Sequence, residues 1–148
     1  MSTDEAVTKD LIEVLENGKE GFAKGAEKLA DSDRPELAAK FREYSAQRGR
    51  CADELHTMAL QYGDQIKEKG SAAGALHRGW MSLKDALSGS DPEGVLDAAE
   101  QGEDHAVDAY EKALKEDLSP TLRTVVQRQF GEVTAAHDDV RSLRNAHR

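Results

Sequence analysis

The sequence predicts an all-α protein, a four-helix bundle in which a long crossover with a short extra helix joins the second and third long helices. Four segments carry apolar residues in steps of three and four, the spacing of an amphipathic helix. Helix-start signals precede three of them, and the connection in the middle of the chain is too long for a hairpin. At 148 residues the chain is expected to form one domain over residues 1–148.

Helix 1 is expected to begin near Asp4, because Ser2 and Glu5 have the spacing of a capping box. The run 31–33 should end it. Asp33 can then cap helix 2, with Pro35 in the first turn. Helix 2 is predicted over about 34–62, before Gly63, a residue type that commonly ends helices.

The connection over residues 64–91 is predicted to hold a short helix at about 72–87, with one apolar face that includes Trp80. Such a helix is about 25 Å long and can travel much of the length of the bundle. The crossover would leave helix 3 parallel to helix 2, as in ferritin-like bundles.

Helices 3 and 4 both begin at a proline. Asp91 and Glu93 flank Pro92, which gives a cap and an acid in the first turn of helix 3, expected to run to about 116. Ser119 and Pro120 repeat the signal at the start of helix 4.

In each predicted helix the apolar residues three and four apart form a stripe along one face, and three polar residues interrupt these apolar stripes. Glu103 lies among the apolar residues of helix 3, His137 among those of helix 4, and Arg48 near the middle of helix 2. A carboxylate buried without a partner costs several kcal/mol. We therefore expect Glu103 to have a partner if it is buried.

Three interpretations of Glu103 are open. In the first, Arg48 and Glu103 form a buried ion pair to which His137 or Tyr44 adds hydrogen bonds. In the second, Glu103 and His137 are ligands of iron, zinc or manganese, which carboxylate and imidazole suit. In the third, Glu103 lies at an exposed or boundary position.

A complete di-iron set cannot be assembled from inward-facing residues. Asp53 and His56 have the acid-x-x-His spacing, but the helical wheel places both toward solvent. Glu20 points nearly opposite to the apolar face of helix 1. The single cysteine, Cys51, is predicted to be a small buried side chain rather than a nucleophile.

Composition restricts the partners and the compartment. The net charge of −9, with basic residues interspersed among acidic ones, disfavours nucleic acid and anionic membranes as partners. A lone cysteine fits a reducing compartment. The acidic N-terminus lacks a signal peptide and no apolar run could span a membrane, so we expect a cytoplasmic protein.

Several short runs resemble the PA2169-like four-helix-bundle family, a bacterial domain of unknown function placed near the ferritin-like proteins. The most specific is Leu76-His77-Arg78-Gly79-Trp80-Met81, and the others are Asp10-Leu11-Ile12-Glu13, Asn17-Gly18-Lys19-Glu20-Gly21-Phe22, Ala46-Gln47-Arg48, Asp53-Glu54-Leu55, Gly102-Glu103-Asp104, Ala109-Tyr110 and Ala136-His137-Asp138. The resemblance covers nearly the whole chain and implies a ferritin-like bundle in a bacterial cytoplasm.

Ferritin-like relatives bind two metals through inward Glu and Glu-x-x-His residues. The resemblance therefore makes Glu103 a candidate ligand, and Glu20 and Glu54 weaker ones, while helix 4 lacks the Glu-x-x-His motif. It also makes a homodimer and a role in stress physiology plausible. The leading hypothesis is a non-enzymatic, self-associating bundle or interaction module; the alternative is a metal-binding protein around Glu103 and His137.

Overall fold

The computed structural model describes residues 3–60 and 92–146, which form four α-helices and, within those ranges, no strand. They are α1 (Thr3–Ala30), α2 (Glu36–Ala59), α3 (Pro92–Leu114) and α4 (Pro120–Ala146). The predicted all-α four-helix bundle is confirmed. The predicted crossover helix at 72–87 and the stop at Gly63 lie outside the described residues.

The start of α2 differs from the prediction. Its N-cap position is taken by Pro35, without a side-chain cap, so Asp33 does not cap the helix. Ser32 organises the turn instead: its hydroxyl donates to the carbonyl of Leu29 at 2.6 Å and accepts from the N–H of Arg34 at 3.0 Å. Serine hydroxyls readily form hydrogen bonds with nearby backbone groups, and here Ser32 supplies a hydrogen-bond donor to a carbonyl in the last turn of α1.

The helices α2 and α3 run parallel to each other. A Cβ atom on Gly25 of α1 would meet Phe41 of α2 and Val95 of α3, so these residues share one level of the bundle. Two turns further along both helices, Arg48 contacts Glu103. Leu60 and Pro92 therefore lie at opposite ends of the bundle, roughly 30 Å apart at 1.5 Å per residue.

The helix α4 runs antiparallel to α3. Arg144 of α4 lies 3.9 Å from Asp97 near the start of α3, and Gln129 bonds Tyr110 near its end. The helix α1 packs against α2 and α3, and α4 packs against α3. The backbones of α2 and α4 come close to each other at only a few positions. The parallel α2 and α3 are thus diagonal partners, which is the order of directions that a long crossover predicts.

The predicted stripes form the core. Its largest apolar side chains are Phe22, Phe41 and Tyr110, with Leu, Val and Ala around them. Phe22 and Phe41 meet edge to face, with ring centroids 5.2 Å apart. Among the described residues, no helix is long and apolar enough to cross a membrane.

Gly25 sets the close approach of α1 to its neighbours. An added Cβ atom would lie 2.8 Å from a ring carbon of Phe41 and 3.4 Å from Val95. Only a residue without a side chain lets the Phe41 ring approach the backbone of α1 this closely. The ring then fills the space at the centre of the bundle that a methyl group would otherwise claim.

Candidate functional site

A fully buried ion pair lies at the centre of the bundle, between Arg48 of α2 and Glu103 of α3. Arg48 is 1% exposed and Glu103 is 0% exposed. Nη1 of Arg48 donates to Oε1 of Glu103 and Nη2 donates to Oε2, each at 2.5 Å. This bidentate arrangement matches the planar guanidinium to the planar carboxylate and uses both carboxylate oxygens.

Two residues of α1 lie beside the guanidinium. A Cβ atom on Gly18 would lie 3.5 Å from Nη1 of Arg48, an ordinary contact distance. The guanidinium carbon lies 5.3 Å from the centroid of the Phe22 ring, within the range of a cation–π contact. Arg48 also donates through Nε to Gln47 at 3.3 Å. The cation is therefore held by three kinds of contact.

The contact with Glu103 keeps Arg48 charged. Burial alone would lower the pKa of Arg48, but the adjacent Glu103 carboxylate more than offsets it and raises the pKa above its ordinary value. An arginine does not lose its proton in a protein. Arg48 is thus suited to holding the two helices together and unsuited to general acid–base chemistry, which needs a group that exchanges a proton near neutral pH.

A second buried polar layer lies next to the ion pair, further along α3, and centres on Gln129 of α4. Its side-chain carbonyl accepts from the Tyr110 hydroxyl at 2.8 Å. Its amide donates to the backbone carbonyl of Cys51 at 3.2 Å and to Oε1 of Glu54 at 2.8 Å. Gln129 therefore connects α2, α3 and α4. The sequence did not single it out, because it lies at the edge of the α4 stripe.

Burial governs the titrating groups of this layer. It raises the pKa of the Cys51 thiol to about 11, assisted by the nearby Glu132 carboxylate, and raises the pKa of Tyr110 well above its ordinary value. Burial also raises the pKa of Glu54, but hydrogen bonds from Arg128 and Gln129 hold it below its usual value. A thiol protonated at neutral pH is a poor nucleophile.

His137 is buried as predicted from its stripe, at 7% exposure, but it does not join the ion pair. Nε2 lies 2.6 Å from Asp104 and Nδ1 lies 3.2 Å from Asp138. Both oxygens of Glu103 are already bonded to Arg48, and Asp104, the next residue round α3, presents its carboxylate to the imidazole. The expectation that His137 adds hydrogen bonds to the Arg48–Glu103 pair is therefore wrong.

Tyr44 is also absent from the buried network. Its hydroxyl donates to Asp139 of α4 at the half-buried edge of the bundle, where Lys40 lies 3.3 Å from the same carboxylate. Its ring does pack on Phe22, with centroids 5.3 Å apart. The long side chain places the hydroxyl at this half-buried edge.

The four candidate metal ligands do not converge. Glu20 is exposed and lies 3.3 Å from Lys24 on its own helix, and Glu54 bonds Arg128 and Gln129. Glu103 bonds Arg48, and His137 bonds Asp104. Within residues 3–60 and 92–146, no group of three or more His, Cys, Asp or Glu side chains could hold a metal ion.

Glu100 is another buried charge that sequence reasoning missed. It lies at 5% exposure, contacts Arg144 and accepts from Nε of Arg141 at 3.2 Å. Two arginines one turn apart near the end of α4, together with an acid in the opposing part of α3, were the available signal. Glu100 lies beside the apolar stripe of α3 rather than on it, so its burial was not predicted.

The chain matches the model of a known protein family. The family described as Domain of unknown function (DUF2383) matches residues 5–116. No curated protein matches the chain. The match covers α1, α2 and α3 and therefore includes both residues of the buried ion pair.

Proposed function

This chain belongs to the family of the domain of unknown function DUF2383, and we propose that it is a non-enzymatic four-helix module that acts by binding through its outer surface. The observation that carries the proposal is the bidentate Arg48–Glu103 pair. An internal guanidinium supplies the positive charge that a metal ion would supply to an inward carboxylate. Both oxygens of Glu103 are then committed to holding α2 and α3 together.

The second polar layer supports the same function. Tyr110 and Gln129 bond each other at 2.8 Å, and both are fully buried. Polar groups that satisfy one another inside a core specify how helices align. The polar interior therefore favours a structural role over one in chemistry.

We further propose that the module forms a homodimer in the bacterial cytoplasm and serves stress physiology. The resemblance to ferritin-like proteins supports these three points. The net charge of −9 supports a protein partner over nucleic acid or an anionic membrane, because like charges repel.

Elemental analysis tests the central proposal against its alternative, a metal-binding protein around Glu103 and His137. Protein purified without chelators is expected to carry substoichiometric iron, manganese and zinc. Stoichiometric metal that disappears in Glu103→Ala would overturn the proposal. Arg48→Met is the informative companion, since a ligand role for Glu103 does not require the arginine.

Light scattering on a size-exclusion column tests the dimer separately. At micromolar concentration we expect twice the chain mass of 16.2 kDa. Particles with the mass of a single chain would refute the proposed dimer. They would not bear on the structural role of the ion pair.

A further inference from the structure

The last two turns of α4 differ from the turns that precede them. Between Leu122 and Val140, every turn of α4 carries at least one buried residue. Residues 141–146, the α4 latch, contain no buried residue, and Leu143 alone among these six packs, half-buried, against the core. The α4 latch therefore gains little stability from apolar burial, and its other contacts must hold it in place.

Two arginines join the α4 latch to α3 through one buried carboxylate. Nε of Arg141 donates to Oε1 of Glu100 at 3.2 Å, and Nη1 of Arg144 contacts Oε2. Glu100 is 5% exposed, whereas the side chains of Arg141 and Arg144 are 49% and 23% exposed. A carboxylate buried to this degree costs free energy unless cations offset its lost hydration. The α4 latch supplies such cations to both oxygens of Glu100.

Longer contacts extend this charge pairing along the α3–α4 side. Arg144 lies 3.9 Å from Asp97, and Arg141 lies 3.8 Å from Asp104. The acids at positions 97, 100 and 104 are three and four residues apart, so they share one face of α3. Because α4 runs antiparallel to α3, its two arginines meet this face in reverse order. The α4 latch thus contacts α3 mainly through opposite charges.

The preceding turns of α4 are anchored by buried side chains. Val126 and Val133 are fully buried, and Phe130 stacks on Tyr110 of α3 with ring centroids 6.5 Å apart. Apolar burial is the main stabilising contribution in a protein core, whereas partly exposed ion pairs are weak and are screened by salt. The two parts of α4 should therefore open at different cost.

We propose that the α4 latch is a separately opening segment, which releases from α3 while the rest of the bundle stays folded and thereby uncovers the Glu100 carboxylate. Proteins open locally in units that have few buried apolar contacts. On release, the two arginines and Glu100 regain water, which offsets much of the lost attraction. The Arg48–Glu103 pair joins α2 to α3 and stays in place, since the α4 latch contributes no atom to it.

Native-state hydrogen exchange of the backbone amides, followed by NMR at about pH 7, tests whether the α4 latch opens by itself. The dependence of protection on urea reports how much surface each opening exposes. We expect protection of amides 142–146 to be nearly independent of urea. Protection of amides 126–136 should fall with the slope of global unfolding. Equal slopes in the two regions would overturn the proposal.

Glu100→Gln distinguishes a latch held by charge from ordinary fraying of a helix end. Glutamine keeps the size of the side chain and removes the charge that both arginines contact. Each such pair is worth up to about a fivefold change in an equilibrium constant, so exchange of amides 142–146 should be about three- to tenfold faster than in wild type. Unchanged exchange of these amides would overturn the role of Glu100.

The matched control removes an acid of α3 that lies away from the α4 latch. Asp108 forms an exposed pair with Lys112 on the same helix, so Asp108→Asn should leave the exchange of amides 142–146 unchanged. Faster exchange in this variant, by the same factor as in Glu100→Gln, would show that any lost acid loosens the α4 latch. That result would also overturn the role of Glu100.

Salt provides a second measurement of the same contacts. At about 1 M NaCl the screening length falls to about 3 Å. Amides 142–146 of the wild-type protein should then exchange faster than at about 0.05 M NaCl. Glu100→Gln lacks the central carboxylate, so its α4 latch should respond less to salt. An equal response in both proteins would show that the screened charges lie elsewhere and would contradict the proposal.

Discussion

The buried Arg48–Glu103 pair makes the sharpest prediction about stability. Arg48→Met and Glu103→Leu each remove one partner and leave the other buried at an exposure of 1% or less. Removing one member of a buried pair costs about 3–5 kcal/mol. Two charge-assisted hydrogen bonds, at about 1.5–3 kcal/mol each, lead to the same range.

The double variant Arg48→Met/Glu103→Leu should recover most of that loss. Both charges are gone, so neither leaves an unpaired group in the core, and the apolar replacements have similar volume. We expect its free energy of unfolding to lie within about 2 kcal/mol of the wild-type value. The coupling free energy of the cycle should therefore be several kcal/mol, far above the error of a urea titration.

The two single variants should also differ in their response to pH. A carboxylate left without its arginine can take up a proton, so burial costs Arg48→Met less as the pH falls. The guanidinium left in Glu103→Leu stays charged at every practical pH. Arg48→Met should accordingly be more stable at about pH 5 than at about pH 8, whereas Glu103→Leu should show no such gain.

Urea unfolding followed by circular dichroism measures all four proteins of the cycle. The matched control is the exposed pair of Asp108 and Lys112, whose side chains are 56% and 74% exposed. Its cycle should give a coupling of at most about 0.5 kcal/mol. A buried cycle no larger than this control, or single effects that simply add, would refute the structural role of the ion pair.

Three further predictions concern single positions. Gly25→Ala should lower the melting temperature, because the new methyl group would lie 2.8 Å from an aromatic ring carbon of Phe41. Gly131→Ala is the control: no atom lies within 4 Å of its Cβ position, so it should stabilise the protein by up to about 1 kcal/mol. The opposite order of the two melting temperatures would refute the packing argument. Tyr110→Phe should cost about 1–3 kcal/mol in urea titrations, since Gln129 loses a buried partner, and no loss would mean that the bond is unimportant. The thiolate absorbance of Cys51 in the folded protein should appear at a pKa of about 11, and titration near the ordinary value of about 8.5 would show that the thiol is not desolvated.

The helices and their buried faces could be predicted because they depend on local spacing. Apolar residues three and four apart lie on one face of a helix whatever the rest of the chain does. Prolines at 92 and 120 fix helix starts through their own backbone geometry. The start of α2 was harder, since the choice between Ser32 and Asp33 depends on how the turn closes.

The candidate site could be predicted only as far as the depth of its residues. The stripes placed Arg48, Glu103 and His137 toward the interior, and all three are buried. Their partners depend on the rotation and separation of helices that are distant in the sequence. His137 bonds Asp104 rather than Glu103 for that reason.

The sequence by itself determined that this protein is a bundle of four amphipathic helices with charged residues in its interior. Periodicity and helix-start chemistry act within a few residues, so they survive without knowledge of the fold. Only the tertiary structure decided that Gln129 and Glu100 are buried, that Tyr44 reaches the rim, and that α2 and α4 are bridged by polar side chains. Whether a residue at the edge of an apolar stripe is buried depends on how closely the neighbouring helices approach. That distance is a property of the packed helices together.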